Sequence, residues 1–264
     1  MINKLYLLLT TLFLSSYFYS IVEEDPLPAL GDYSSASISL SGEYELGRLW
    51  LAMYRGSTKE HSDPLMRTYL EDLIYRLSET SEVRDRRFEF IILEDESINA
   101  FAAPGGIIGI NLGMFLNTQR EGELASVMCH ELAHLSQRHY ARSQNRSSPL
   151  ANALMILASI AVAAASRNPE AIVIAPAAMQ QMSINYTRSN EKEADRIGFN
   201  NLVKAGFDPN DMTMMFQRMQ DKYQREDSEQ FSYLMTHPLP SERLTDMRIR
   251  ADNISKPSEG SYRD

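Results

Sequence analysis

His130-Glu131-Leu132-Ala133-His134, inside the longer run Ser126 to Arg142, is the stretch from which the rest of this chain can be read. Histidines four residues apart lie on one face of an α-helix, about 40° from each other around its axis. Two imidazoles so placed can share one Zn²⁺, and Glu131 then sits beside the ion as a general base rather than on it. The surroundings favour a buried helix. No Pro or Gly follows Gly122 up to Arg142, and Leu124, Ala125, Val127, Met128, Leu132 and Leu135 recur at helical spacing. The pattern predicts one helix from Glu121 to Arg142. Imidazoles on its buried flank need partners for their nitrogens, and a cation supplies one.

A catalytic zinc takes three protein ligands and keeps a fourth position for water. A His six residues past the second, after a Gly turn, would give one large class, but Tyr140 and Gln137 stand at those positions. His139 falls about 140° around the helix from His134, too far to share the ion. A Glu from a second helix is the other common solution, and the run Asn190 to Gly198 offers Glu191. Asp195, one turn further on, can accept the outer N–H of a ligating His and fix its tautomer. Glu193 falls on another face and is expected to be solvated.

Read together, SVMCHELAHLSQRHYAR (126–142), NEKEADRIG (190–198) and THPLPSERL (236–244) resemble the HtpX/BepA-like zinc metallopeptidases. These are gluzincins related to the CAAX prenyl endopeptidases. The resemblance runs from about Ser39 to Asn253. It implies His130, His134 and Glu191 as ligands of one zinc per chain, Glu131 as catalytic base and Asp195 as the carboxylate behind a ligand. It also matches His237 to a His that can bind the zinc as a fourth ligand. Four protein ligands leave no place for water, so His237 reads as a gate that swings out for substrate, or as a group that holds the oxyanion. Tyr186 and Arg188 are further oxyanion candidates. Arg243 stands at the family's Arg position, where pairing with a carboxylate and steadying the oxyanion both remain open. The alternative is a gated, mostly inactive zinc-holding module with a chaperone-like or binding role.

The resemblance further implies an endopeptidase that cleaves misfolded or stalled envelope proteins in the periplasm. Asn99, Ala100, Phe101 and Ala102 match the family's edge strand beside the zinc. An unfolded or extended polypeptide can add to such an edge through its backbone. Outer-membrane assembly machinery is an implied partner. BepA-like proteins, however, continue into tetratricopeptide repeats that these 264 residues do not reach, which puts repeat-dependent docking in doubt.

Composition agrees with export. Lys4 precedes a ten-residue, largely apolar run, Leu5 to Leu14, and Ser15, Ser16 and Ser20 follow, so residues 1–20 read as a signal peptide or a retained anchor. Bulky Tyr17, Phe18 and Tyr19 make a poor cleavage site. The net charge of −9 would become −10 without residues 1–20 and argues against nucleic acid. Cys129 is the single cysteine, so no intrachain disulfide forms, and it is expected to be a small buried side chain.

The remaining pattern predicts an α+β, mostly helical, zincin-like chain with one small sheet beside the active-site helix. Residues 21–38 read as an entry segment, 39–253 as the peptidase domain and 254–264 as a frayed tail. Helices are expected over Gly42 to Tyr54, with Leu46, Leu49, Trp50 and Met53 inward, and from the Asp63-Pro64 cap to about Ser78. Strands are expected over Phe88 to Leu93, Ile98 to Ala102 and Ile107 to Ile110, with a turn at Pro104-Gly105-Gly106. A short helix near Leu112 to Leu116 precedes the HExxH helix. Ser143 to Pro149 reads as a linker. The sixteen apolar residues Leu150 to Ala165 read as a buried helix, a lid, or a peripheral membrane contact. A helix carrying Met179 and Met182, the Glu191 helix, one from the Asp208-Pro209 cap to about Arg225, and a last one over Arg243 to Ala251 complete the chain.

Overall fold

A computed structural model describes residues 38–144, 186–225 and 232–255. The signal or anchor, the entry segment up to residue 37, the apolar run with the helix after it, and the tail beyond residue 255 lie outside the described residues. Helix α1 (Leu40–Arg55) and α2 (Pro64–Thr80) lead into β1 (Glu89–Leu93), β2 (Ala100–Ala103) and β3 (Ile107–Asn111). Then come α3 (Leu112–Asn117), α4 (Glu121–Ser136), α5 (His139–Gln144), α6 (Arg188–Lys204), α7 (Asn210–Arg225), α8 (Ser232–Thr236) and α9 (Ser241–Ser255). The mostly helical architecture with one small sheet is as expected.

The sheet has order β1-β3-β2, with β1 parallel and β2 antiparallel to β3. Its alternation explains why both faces are covered. Phe90, Ile92, Ala100, Ile108 and Ile110 face the larger core with α2, α4, α6, α7 and α9. Ile91, Leu93, Phe101, Ala103 and Ile107 face a smaller core under Trp50, Leu51 and Tyr54 of α1. The β2–β3 turn needs left-handed backbone at Gly105 and Gly106, with φ of 78° and 79°.

The inward face of α1 differs from the expected one. Glu43, Gly47, Trp50, Leu51 and Tyr54 are buried, whereas Leu49 is exposed. The helix lies so close to the β2–β3 turn that a Cβ on Gly47 would stand 2.1 Å from the Pro104 carbonyl oxygen. The smallest residue, not a large apolar one, sets that contact.

Caps fall where the sequence places them. Asp63 accepts from the amides of Leu65 and Met66 ahead of Pro64, and Asp208 accepts from the Asn210 amide. The HExxH helix is shorter than expected. It ends at Ser136, and Arg138 takes a left-handed φ of 52° before α5 begins at His139. The Arg138 side chain is anchored in compensation. Its Nε donates to Glu43 Oε2 at 2.9 Å, and its Nη2 donates to the Ile38 carbonyl.

Candidate metal centre and active site

Helix α4 packs across α6, and Gly198 makes the crossing close: a Cβ there would be 2.9 Å from the His130 amide nitrogen and 3.0 Å from the Cys129 carbonyl. The contact brings the acidic turn of α6 against the two histidines. His130 Nε2 and His134 Nε2 are 2.9 Å apart. Glu191 reaches them with Oε2 3.5 Å from the first and Oε1 3.4 Å from the second. His237, on the turn between α8 and α9, places Nδ1 3.1 Å from Glu191 Oε1 and Nε2 3.6 Å from Glu131 Oε1. All these side chains are buried, and the ligating atoms of His130, His134, Glu191 and His237 lie within 4.8 Å of one another.

The outer nitrogens decide the tautomers. His130 Nδ1 is 3.0 Å from Asp195 Oδ1. An ionised carboxylate only accepts, so Nδ1 carries the proton and Nε2 is bare. His139 Nε2 is 3.1 Å from Glu193 Oε2, so His139 is protonated there and its Nδ1 is an acceptor. That Nδ1 is 2.8 Å from His134 Nδ1, which must therefore donate. His134 Nε2 is left bare as well. Two lone pairs and a carboxylate thus converge in a space closed to solvent, an arrangement that repels itself unless a proton or a metal cation stands between them. The donor set fits a divalent metal.

Arg243 binds the parts together. Its Nε and Nη2 donate to the two Asp195 oxygens at 2.6 and 2.7 Å, and its Nη1 to the Pro238 carbonyl at 2.6 Å, 2.9 Å from Glu191 Oε2. Of the two roles open for Arg243, this geometry is the pairing of carboxylates. Burial alone would raise Asp195, but the Arg243 charge and its hydrogen bonds hold the carboxyl below the usual range. Glu191 is likewise held well down, burial being outweighed by His237 and the ligand histidines. Glu131 is pushed up by burial. Neither of its oxygens has a hydrogen-bond partner among the described residues.

The other candidates separate. Asn99 is buried ahead of β2, and its carbonyl accepts from the Asn111 amide. Ala100, Phe101 and Ala102 pair with β3 on one side, which makes β2 an edge among the described residues. The β2 strand also packs against α4. Tyr186 stacks on His134 with ring centroids 4.1 Å apart. Arg188 is exposed on the first turn of α6. Cys129 is a buried thiol pushed upward by burial, as expected of a packing residue. Glu193 is a correction: it is buried, contacting His139 and, at 2.9 Å, Arg142 Nη1. The difference arises because the chain turns at Arg138 and carries α5 over the side of α6 that a continuous helix would leave to solvent.

Sequence reasoning also missed Tyr233. Its ring stacks on His237 at 4.6 Å, and its amide donates to the Ile98 carbonyl at 3.1 Å, docking α8 beside the sheet. No periodicity marks a five-residue helix, so no signal pointed there.

Comparison with known proteins places the chain in a peptidase family. The profile of peptidase family M48 matches residues 64–251. A Vibrio cholerae protein provisionally named beta-barrel assembly-enhancing protease is 42% identical over 242 residues, 88% of this chain and 49% of that protein. The Escherichia coli beta-barrel assembly-enhancing protease is 37% identical over 237 residues, 87% of this chain and 48% of that protein. The mitochondrial metalloendopeptidase OMA1 of Schizosaccharomyces pombe is 24% identical over 86% of this chain and 66% of its own length. The chain spans about half the length of the beta-barrel assembly-enhancing proteases it matches.

Proposed function

The chain belongs to peptidase family M48 and is a metal-dependent peptidase, and from that premise we propose that it is a zinc endopeptidase cleaving misfolded or stalled envelope proteins in the periplasm. The observation that carries the reading is the convergence of two bare Nε2 atoms on Glu191, with Glu131 alongside. His130, His134 and Glu191 hold one zinc, and Asp195 and Arg243 hold His130 and Glu191 in place. Bound there, zinc acidifies a water to a pKa of about 7 and polarises the scissile carbonyl. Glu131 takes the proton at a carboxylate oxygen and returns it to the leaving amine. Its burial suits the first of these steps, since a carboxylate whose pKa is raised above its ordinary value is a stronger base toward the water proton. The substrate lies extended along β2, from Asn99 to Ala102, and is selected for being unfolded more than for its sequence.

His237 is proposed as a gate because it already stands among the ligand atoms. The outer-membrane context is supported by the names of the bacterial relatives and by the apolar N-terminal run. No helix among the described residues is long and apolar enough to cross a membrane.

The test is casein cleavage by three forms of the metal-loaded protein. Glu131→Gln should lose cleavage while keeping about one zinc per chain, and His237→Ala should cleave faster than wild type. Cleavage surviving in Glu131→Gln would remove it as base. A His237→Ala form unchanged in rate and metal affinity would end the gating role.

A further inference from the structure

The left-handed turn at Arg138 has a chemical consequence. Had α4 continued, His139 would point about 140° away from His134. Instead the break carries the His139 ring behind His134, centroids 4.8 Å apart and nearly perpendicular, with the two Nδ1 atoms at 2.8 Å. His139 is fully buried. Its other nitrogen meets Glu193, which is itself buried and paired with Arg142 one turn along α5. Helix α6 therefore serves both histidines of the motif from one turn. Asp195 backs His130 directly, and Glu193 backs His134 through an intervening imidazole.

We propose that His139 is a positioning residue of the metal centre: it accepts the Nδ1–H of His134 and, oriented by Glu193 and Arg142, holds His134 in the tautomer and ring orientation that turn Nε2 to the cation. Neutral His can donate from either nitrogen, and without an acceptor at Nδ1 the His134 proton is free to sit on Nε2, where it blocks the ligand lone pair. Groups that orient a ligating His in this way typically change metal affinity by about 10–100-fold. A His in this place differs from a carboxylate. It adds no negative charge behind His134, and it can accept only while a donor-seeking anion, Glu193, keeps the proton on its far side.

The inference rests on the reading of His134 as a ligand, and the experiment separates the two. Zinc affinity is measured on the full chain by competition with a chelator, and the visible absorption of the Co²⁺-loaded protein is recorded in parallel. His139→Leu, which fills the space without an acceptor, should weaken zinc binding by about 10–100-fold and shift the Co²⁺ bands. His139→Asn, whose amide oxygen falls close to the place of Nδ1, should recover most of the affinity and the wild-type spectrum. Glu193→Leu should give an intermediate loss, and it serves as the second reading if His139→Leu does not fold. Wild-type affinity in His139→Leu, or His139→Asn no better than Leu, would overturn the positioning role. His134→Ala should abolish binding; zinc retained by that variant would overturn the ligand assignment and the relay with it.

Discussion

At the scale of single residues, the site sets each buried histidine against a carboxylate or another imidazole. The clearest consequence concerns His130. In the metal-free chain burial disfavours its charged form, but Asp195 and Glu191 outweigh burial and raise its pKa to about 9. A proton then stands on Nε2 at neutral pH where a cation would bind, and binding must displace it. Apparent zinc affinity should therefore rise about tenfold per pH unit between pH 6.5 and 9 and level off above, as read by chelator competition. Stability carries the matching sign. A group raised on folding stabilises fully below its ordinary value near 6.5, and that contribution is lost as pH rises through about 9. The metal-free protein should thus melt at a lower temperature at pH 9 than at pH 7, while the zinc-loaded protein should not. His134 and His139 are pushed down by burial and Glu191 and Asp195 are held low, so none of them titrates in this window.

At the scale of elements, the site depends on how closely α4 and α6 approach. Gly198 has nothing to offer but the absence of a side chain. Its α-helical neighbours Phe199 and Leu202 are buried in the large core and fix the helix sideways, so a side chain at 198 cannot be relieved by rotation. Gly198→Ala should push the helices apart at the Cys129–His130 backbone. The expected cost is about 1–3 kcal/mol of stability in urea unfolding, with weaker zinc binding because Glu191 and Asp195 recede together. A variant as stable and as tightly metallated as wild type would show that the crossing has slack. The same element scale shows what the sequence could and could not reveal. The strands, their turn and the caps at Asp63 and Asp208 were legible because alternation, Gly-Gly and Asp-Pro act locally. The end of the HExxH helix was not, since Ser136, Gln137 and Arg138 are all acceptable inside a helix. The left-handed Arg138 is held there by Glu43 and the Ile38 carbonyl, about a hundred residues away in the chain.

At the scale of the whole molecule, the candidate ligand atoms come from three separate segments: His130 and His134 from α4, Glu191 from α6, and the proposed gate His237 from the turn before α9. A cation held by His130, His134 and Glu191 would join α4 to α6 as a cross-link does. Zinc present at 100 times its dissociation constant should add about 2.7 kcal/mol of stability. Stripping it with a chelator should lower the melting temperature by several degrees, and restoring zinc should return it. A melting temperature indifferent to chelation would mean that the folded protein does not use a metal at this centre. The sequence by itself determined the chemistry: HExxH spacing, a Glu one turn before an Asp, and the apolar pattern dictate a metal-binding helix over a small sheet, because helix pitch and strand pleat are local geometry. Which way the chain turns after His134, that Gly198 is the contact, that Glu193 is buried and that His139 stands behind a ligand were decided only by tertiary structure. Those facts depend on groups distant in sequence meeting at one point, where the burial of each sets what its neighbour must do.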